Sequence, residues 1–443
     1  MNKEILRLAI PNIISNVSIP LLSTVDTMLM GRLSELHIGA VGVGAMIFNL
    51  VYWNFGFLRM GTTGITAQAF GKKDDNAIFQ TLSRALLVAM TLAVVIVLLH
   101  VPFAWMSFYL MNISEVQYSL VEQYFYIRIW AAPATLGLFA MMGWFFGMQN
   151  AVFPLIITIF VNVVNIILSY IFVKIYGWDV AGVAWGTVIA QYAGILLSFF
   201  LFYKKYKKYL LHFSQKAMLE IEALKQYLTI NRDIFIRTLC LTFAFAFFYS
   251  QSSKEGATIL AANVILLQFL NWMSYGVDGF AFASESLVGK YHGAKDVPRL
   301  KKAIRLSFIW GMVLAIGFSL AYWIFGVKLL HFFTNQEDVI AASLPFLFWM
   351  ILFPVVSTPC YIWDGIYIGL TASKAMRDAM ILALGVYFLV YFLLKNEYGN
   401  DGLWAALLIF MAARGLIQWG LYRRRMVDGG RLTANGLDNT QYY

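Results

Sequence analysis

Charge is scarce in this 443-residue chain: Asp, Glu, Lys and Arg together make up 13% of it, against roughly 25% in a soluble globular domain. So low a fraction excludes water as the main solvent of the surface, and with it an ordinary soluble fold. Cysteine is nearly absent. The two present, Cys240 and Cys360, lie far apart inside apolar runs, so neither a disulfide framework nor a CxxC site is indicated, and both read as packing residues. Histidine is limited to five residues, scattered without metal-ligand spacing. There is no HExxH, no GxSxG and no GxxxxGKS/T phosphate loop, which removes the usual signatures of a zinc hydrolase, a serine hydrolase or an ATP-driven machine. Met1–Arg7 is too short for the charged region of a cleavable leader, and no small-residue cleavage pattern follows it, so the first apolar stretch is expected to stay in the protein.

Long uncharged runs are what the chain does have. Ala151–Val173, Val180–Tyr203, Leu306–Val327 and Val339–Trp363 each reach the roughly 18–20 apolar residues that cross a bilayer. Hydropathy, punctuated by Gly, Pro and charge, predicts spans at 8–31, 36–70, 77–100, 118–147, 151–175, 179–203, 231–253, 256–291, 298–327, 339–370, 375–394 and 401–425. The fold class expected is an all-α membrane protein of twelve transmembrane helices. Of 33 Lys and Arg residues, 25 fall on the side of the N-terminus and five on the other, with Arg59, Arg128 and Arg414 inside the membrane and Arg237 counted on the inner side. That excess predicts both termini in the cytoplasm. The net charge of +10 sits mostly at helix ends, which argues for the lipid bilayer rather than nucleic acid as partner.

One shift relates the two halves. Moving the sequence by 222 residues pairs Ala40 with Ala262, Asn49 with Asn271, Gly71-x-Lys73-Asp74 with Gly293-x-Lys295-Asp296, Gly143-x-x-x-Gly147 with Gly365-x-x-x-Gly369, and Tyr176-Gly177-x-Asp179 with Tyr398-Gly399-x-Asp401. Six helices per half give both copies the same orientation, a parallel repeat in which two lobes enclose a cleft and rock to give alternating access. The expected organisation is a six-helix lobe at 1–203, a basic cytoplasmic linker at 204–230 that contacts anionic lipid, a second six-helix lobe at 231–425 and a disordered tail at 426–443.

Buried acids are not copied by the repeat: Asp26 meets Phe248, Asp278 meets Gly56, Glu285 meets Thr63 and Asp364 meets Met142. A carboxylate in hydrocarbon costs at least ~2.5–3.5 kcal/mol, so each is a candidate site residue. On the first helix Asn12, Asn16, Ser23 and Asp26 share a face, matched by Asn162, Asn165 and Ser169 on the fifth and by Thr187 and Gln191 on the sixth. These stripes are expected to line the interior of the N-terminal bundle, with Asp26 as a protonatable or cation-binding group; the alternative is a permanently hydrogen-bonded packing residue. The second half offers Asn271, Tyr275, Asp278 and Glu285 on the eighth helix and Ser357, Tyr361 and Asp364 on the tenth. Asp278 and Glu285 would hold a cation or pair with an arginine. Arg59 and Arg128 would balance carboxylates or snorkel. Trp53, Trp130, Trp144, Trp272, Trp349 and Trp363 read as lipid packing, with an aromatic wall for flat organic cations as the alternative.

The strings Val25-Asp26-Thr27, FLRMGTTGITAQAFG at 57–71, NRDI at 231–234, YGVDGFAFASE at 275–285, CYIWDGIYIG at 360–369 and ARGL at 413–416 run nearly end to end, and their pattern resembles the multidrug and toxic compound extrusion (MATE) transporters, in particular their DNA-damage-inducible (DinF) branch. The resemblance implies two six-helix lobes, a V-shaped central cavity, and efflux of cationic or amphipathic compounds in exchange for H+ or Na+. It implies Asp26 as the coupling carboxylate and Pro11 as a helix-bending residue. Asn165 and Thr187 match a sodium site of some members, but Ser169 stands where a second Asp is expected, which favours protons through Asp26. Asp364 matches a tenth-helix aspartate of a second cation site.

The function expected is therefore secondary antiport of small organic substrates across the bacterial cytoplasmic membrane. No cofactor beyond the coupling ion, no enzymatic activity and no resident metal beyond possible Na+ are expected, and a monomer suffices. The alternative is a lipid or lipid-linked oligosaccharide flippase of the same superfamily, for which the intramembrane arginines are few. A membrane-embedded enzyme would need a convergent catalytic set that the sequence does not show.

Overall fold

A computed structural model describes residues 1–30 and 35–428, with side chains for 1–18 and 36–424. Ser23 and Asp26 therefore lie outside the described side chains, and the tail from 429 outside the described residues. Almost all described residues are helical, and none of them lies in a strand. It packs as two compact units, one formed by Ile14–Leu228 and the other by Met1–Ile13 together with Thr229 onwards.

The first unit takes the end of α1 (Asn2–Met30), then α2 (Glu35–Asn54), α3 (Phe57–Lys72), α4 (Asp75–Leu98), α5 (His100–Leu110), α6 (Glu115–Arg128), α7 (Ala132–Gly147), α8 (Val152–Tyr170), α9 (Asp179–Tyr206), α10 (Gln215–Met218) and the first turns of α11 (Ile221–Lys254). The second takes the rest of α11, then α12 (Ala257–Gly293), α13 (Val297–Phe333), α14 (Glu337–Ser343), α15 (Leu347–Gly369) and α16 (Ser373–Asp428). Ten helical segments among the described residues are long and apolar enough to cross a membrane. α16 bends at Gly399, whose φ of 48° and ψ of −123° end one helix and start another, and α1 adds 29 residues. Twelve spans result.

Two expected boundaries shift. The first 13 residues pack with the C-terminal unit rather than with the lobe that follows them in sequence; Glu4 accepts hydrogen bonds from Tyr291 Oη at 3.0 Å and from Lys290 Nζ at 3.3 Å. Asn12 lies in this unit too, buried and donating to Leu8 O at 2.9 Å, so it does not line the N-terminal bundle. Residues 204–228, the greater part of the expected linker, pack within the N-terminal unit. Tyr206, Tyr209 and Tyr227 are buried, Gln80 Nε2 donates to His212 O at 2.8 Å, and Tyr227 Oη meets Thr62 Oγ1 at 2.9 Å. The polar composition misled because aromatic side chains spaced through it supply the apolar side.

The repeat is visible in backbone geometry. Residues forced into the left-handed region recur at the same shift: Lys73 and Lys295 (φ 58° and 56°), Gln149 and Thr371 (59° and 52°), Gly177 and Gly399 (67° and 48°). Each of the first four follows a helix, where a left-handed residue returns amide protons to the last carbonyls. The next helix then starts on a side-chain cap, with Asp74 accepting from Ala77 N at 2.9 Å and Asp296 from Arg299 N at 3.0 Å. Close packing repeats as well. A methyl group on Gly143 would strike the Arg59 carbonyl, and one on Gly365 the Ala281 carbonyl, which is where α7 crosses α3 and α15 crosses α12. Only glycine lets these backbones approach so far.

Candidate functional site

In the N-terminal unit α8 and α9 bring Asn165, Ser169 and Thr187 together. Asn165 Nδ2 donates to Thr187 Oγ1 at 2.8 Å, and that hydroxyl donates back to Val183 O at 2.9 Å. All three residues are buried, yet Asn165 Oδ1 and Ser169 Oγ have no hydrogen-bond partner. Gly186 allows the contact, since a methyl there would sit 2.7 Å from Ser169 Oγ. Buried acceptors without partners carry a desolvation cost of about 1–3 kcal/mol each, which a proton donor or a small hard cation would relieve. Neither amide nor hydroxyl titrates near neutrality, so the cluster by itself binds but does not carry protons. The same unit joins α1 to α8: Asn162 Nδ2 donates to Ser18 Oγ at 3.1 Å, and Ser15 Oγ to Thr158 Oγ1 at 3.0 Å. Asn16 and Gln191 are half-buried on α1 and α9.

The second cluster differs in kind. Asp364 on α15 is bonded to Arg237 on α11, to Arg414 Nη2 at 2.8 Å and to Gln418 Nε2 at 2.6 Å, both on α16. All four side chains are buried. One carboxylate between two guanidiniums leaves a single positive charge, and a cation approaching Asp364 would have to displace a donor. Asp278 on α12 lies near Tyr275, Cys360 and Tyr361. The guanidinium of Arg414 also lies 6.0 Å from the Tyr361 ring centroid. Arg237 thus leaves the cytoplasmic charge to which it was assigned: α11 begins at Ile221, ten residues before the expected start, and carries Arg237 into the bundle.

The remaining candidates scatter. Glu285 is buried on α12, and its carbonyl would lie 2.7 Å from a methyl on Gly369. Ser357 is buried and turned back on its own helix, donating to Phe353 O at 2.7 Å. Asn271 is exposed, Tyr275 half-buried, and Pro11 half-buried within α1. The sequence reading missed Arg237 and Gln418. Gln418 was legible as the residue one turn after Arg414 on the same helix face.

The MatE family profile matches residues 11–171 and again 234–394, two copies that between them cover most of the chain. The chain belongs to the MatE family. Its relatives include the DNA damage-inducible protein F of Escherichia coli (strain K12), 34% identical over 432 residues, covering 97% of this chain and 93% of that one. A probable multidrug resistance protein NorM of Photorhabdus laumondii is 22% identical over 437 residues, 94% of both chains. Among solved structures, the outward-facing conformation of a multidrug resistance MATE family transporter of the MOP superfamily superposes with a TM-score of 0.88 at 18% identity over 97% of each chain. The Vibrio cholerae MATE transporter VcmN in its bent form gives 0.85 at 19% identity, over 96% of this chain and 97% of that one. The family is one of transporters, and this MatE protein is a multi-pass, two-lobed, all-helical member of it.

Proposed function

We propose that this MatE protein is a secondary antiporter that exports small organic compounds, cationic or amphipathic, across the bacterial cytoplasmic membrane in exchange for H+ or Na+, with both termini inside. The observation that carries the reading is the contrast between the polar clusters. The N-terminal unit keeps two buried acceptors, Asn165 Oδ1 and Ser169 Oγ, open, whereas the C-terminal carboxylate Asp364 is occupied by two guanidiniums and an amide. Coupling is therefore assigned to the N-terminal unit, with Asp26 on α1 as its titrating group and Asn165, Ser169 and Thr187 as neutral ligands or proton-network members. Asp364 is assigned to fixing the C-terminal helices. Driven transport needs two states of different charge, and only an acid that can lose or gain a proton, or trade it for a cation, supplies them here.

The test is uptake of a fluorescent organic cation into proteoliposomes under an imposed proton gradient and, separately, a sodium gradient. Asp26→Asn is expected to abolish the driven component and leave passive equilibration. Drive by neither gradient in the wild type would sink the antiport reading.

A further inference from the structure

Between α9 and α11 the chain stays pressed against the opening turns of α4. A short 3-10 helix, Lys207–His212, follows α9 directly, and at three residues per turn every third side chain shares a face. One face runs from Tyr206, just before that helix, through Tyr209 to His212. Both tyrosines are buried, and the His212 carbonyl accepts from Gln80 Nε2 at 2.8 Å. The Tyr206 ring stands edge-on to Trp144 at 5.0 Å, and its hydroxyl accepts from Asn150 Nδ2 at 3.1 Å. Beyond the 3-10 helix, Phe213 packs edge-on against Phe79 with centroids 6.3 Å apart, and Arg84 donates to the Ala217 carbonyl.

The other two ridges of the 3-10 helix are exposed. Each carries a lysine and, one turn later, a leucine: Lys207 then Leu210, and Lys208 then Leu211. Leu211 is 88% exposed and Ile221 76%, with Phe213 and Leu219 adding to the same run of uncovered apolar residues. From Lys204 to Leu219 there are five lysines and no Asp or Glu. The neighbouring acids are already beside cations, Asp75 at 3.6 Å from Lys208 and Glu220 at 3.8 Å from Arg84. Large apolar side chains interleaved with excess positive charge are poorly served by water. An anionic leaflet offers both partners, acyl chains for the leucines and headgroups for the ammonium groups. The span predicted for α9 ends at Tyr203, which sets the segment at the depth where lysine stems lie along apolar surface and their charges reach the phosphates.

We propose that residues 204–221 form an interfacial strap, in which Leu210, Leu211, Phe213 and Ile221 enter the acyl boundary of the cytoplasmic leaflet while Lys204, Lys205, Lys207 and Lys216 hold anionic lipid headgroups. Charge alone assigned the lysines to lipid; the apolar inserts and the fixed seat on α4 are what the structure adds. Through that seat, the lipid grips the N-terminal unit. The choice of leaflet rests on the orientation proposed above. A nanodisc presents the same lipid on both faces, so failure of the strap is distinguishable from failure of the orientation or of antiport.

The full chain carries a nitroxide at Leu211→Cys or at Ile221→Cys, with Cys240→Ser in the background and the buried Cys360 left in place. It is placed in phosphatidylcholine nanodiscs with or without phosphatidylglycerol. Collision of the label with oxygen, which concentrates in hydrocarbon, is compared with collision with a nickel chelate, which stays in water. Oxygen is expected to dominate at both positions. Adding phosphatidylglycerol should lower nickel-chelate collision by about twofold or more, and exchanging Lys204, Lys205, Lys207 and Lys216 for Gln should cancel that response while the oxygen excess remains. A nickel-chelate excess at both positions in either lipid overturns the strap. So does a label shielded from both reagents, the signature of a covering protein. Indifference of the wild-type lysines to phosphatidylglycerol overturns their assignment to headgroups.

Discussion

In the N-terminal unit the buried polar atoms of α8 and α9 are neutral, and two of them await a partner; in the C-terminal unit the same shift of 222 residues replaces Asn165, Ser169 and Thr187 by Tyr387, Tyr391 and Ile409. Conversely, Arg237, Asp364, Arg414 and Gln418 map onto Ser15, Met142, Tyr192 and Leu196. Left-handed turns, caps and glycine contacts recur at that shift, while the buried charges and the α8–α9 amide–hydroxyl cluster do not. Duplication therefore fixed the backbone, and side chains were free to diverge because polar groups buried among helices are judged only by their own neighbours. One half became a set of unfilled acceptors and the other a closed ion cluster.

Removing a charge should separate the halves most. Asp364→Ala strands two buried guanidiniums and is expected to cost about 3–5 kcal/mol, whereas Asn165→Ala removes one neutral hydrogen bond and should cost about 1 kcal/mol. Thermal unfolding of the two variants in the same detergent checks this, and equal losses would mean that the C-terminal cluster is not the closed unit described. The shared backbone predicts the opposite pattern. Gly143→Ala and Gly365→Ala force a methyl into a carbonyl at equivalent crossings and should each destabilise by about 1–3 kcal/mol, alike within error. A cost confined to one of them would break the equivalence.

The smallest effect concerns the piece of α1 that joins the C-terminal unit. Burial pushes the Glu4 carboxyl upward, but hydrogen bonds from Tyr291 and Lys290, with the Lys290 charge, outweigh it and hold the group below its usual value. Its contribution is complete at pH values above the ordinary glutamate range and is lost as pH falls through the lowered folded value. Melting temperature followed from pH 7 towards pH 3.5 should fall slightly more for wild type than for Glu4→Gln. Parallel curves would show that the contact adds nothing.

Hydropathy located the twelve spans because an uninterrupted apolar stretch has few other uses, and the 222-residue shift was readable because left-handed turns and helix caps demand particular residues at particular places. Counting charges misplaced Arg237. A charge count knows only distance along the chain, and the start of α11 at Ile221 puts that arginine about 24 Å up its helix. The Asp364 partners were unreadable for a related reason: they come from helices 127 and 50 residues away in sequence, and no local spacing encodes such a meeting.

Lys73 and Lys295 occupy left-handed backbone where glycine would rest with less steric conflict. Tolerating a bulky residue at such a bend twice over is sensible if the ammonium groups serve as address labels while the nascent polypeptide is being threaded into lipid. Exchanging both for glycine should yield a slightly sturdier molecule that is inserted upside down more often.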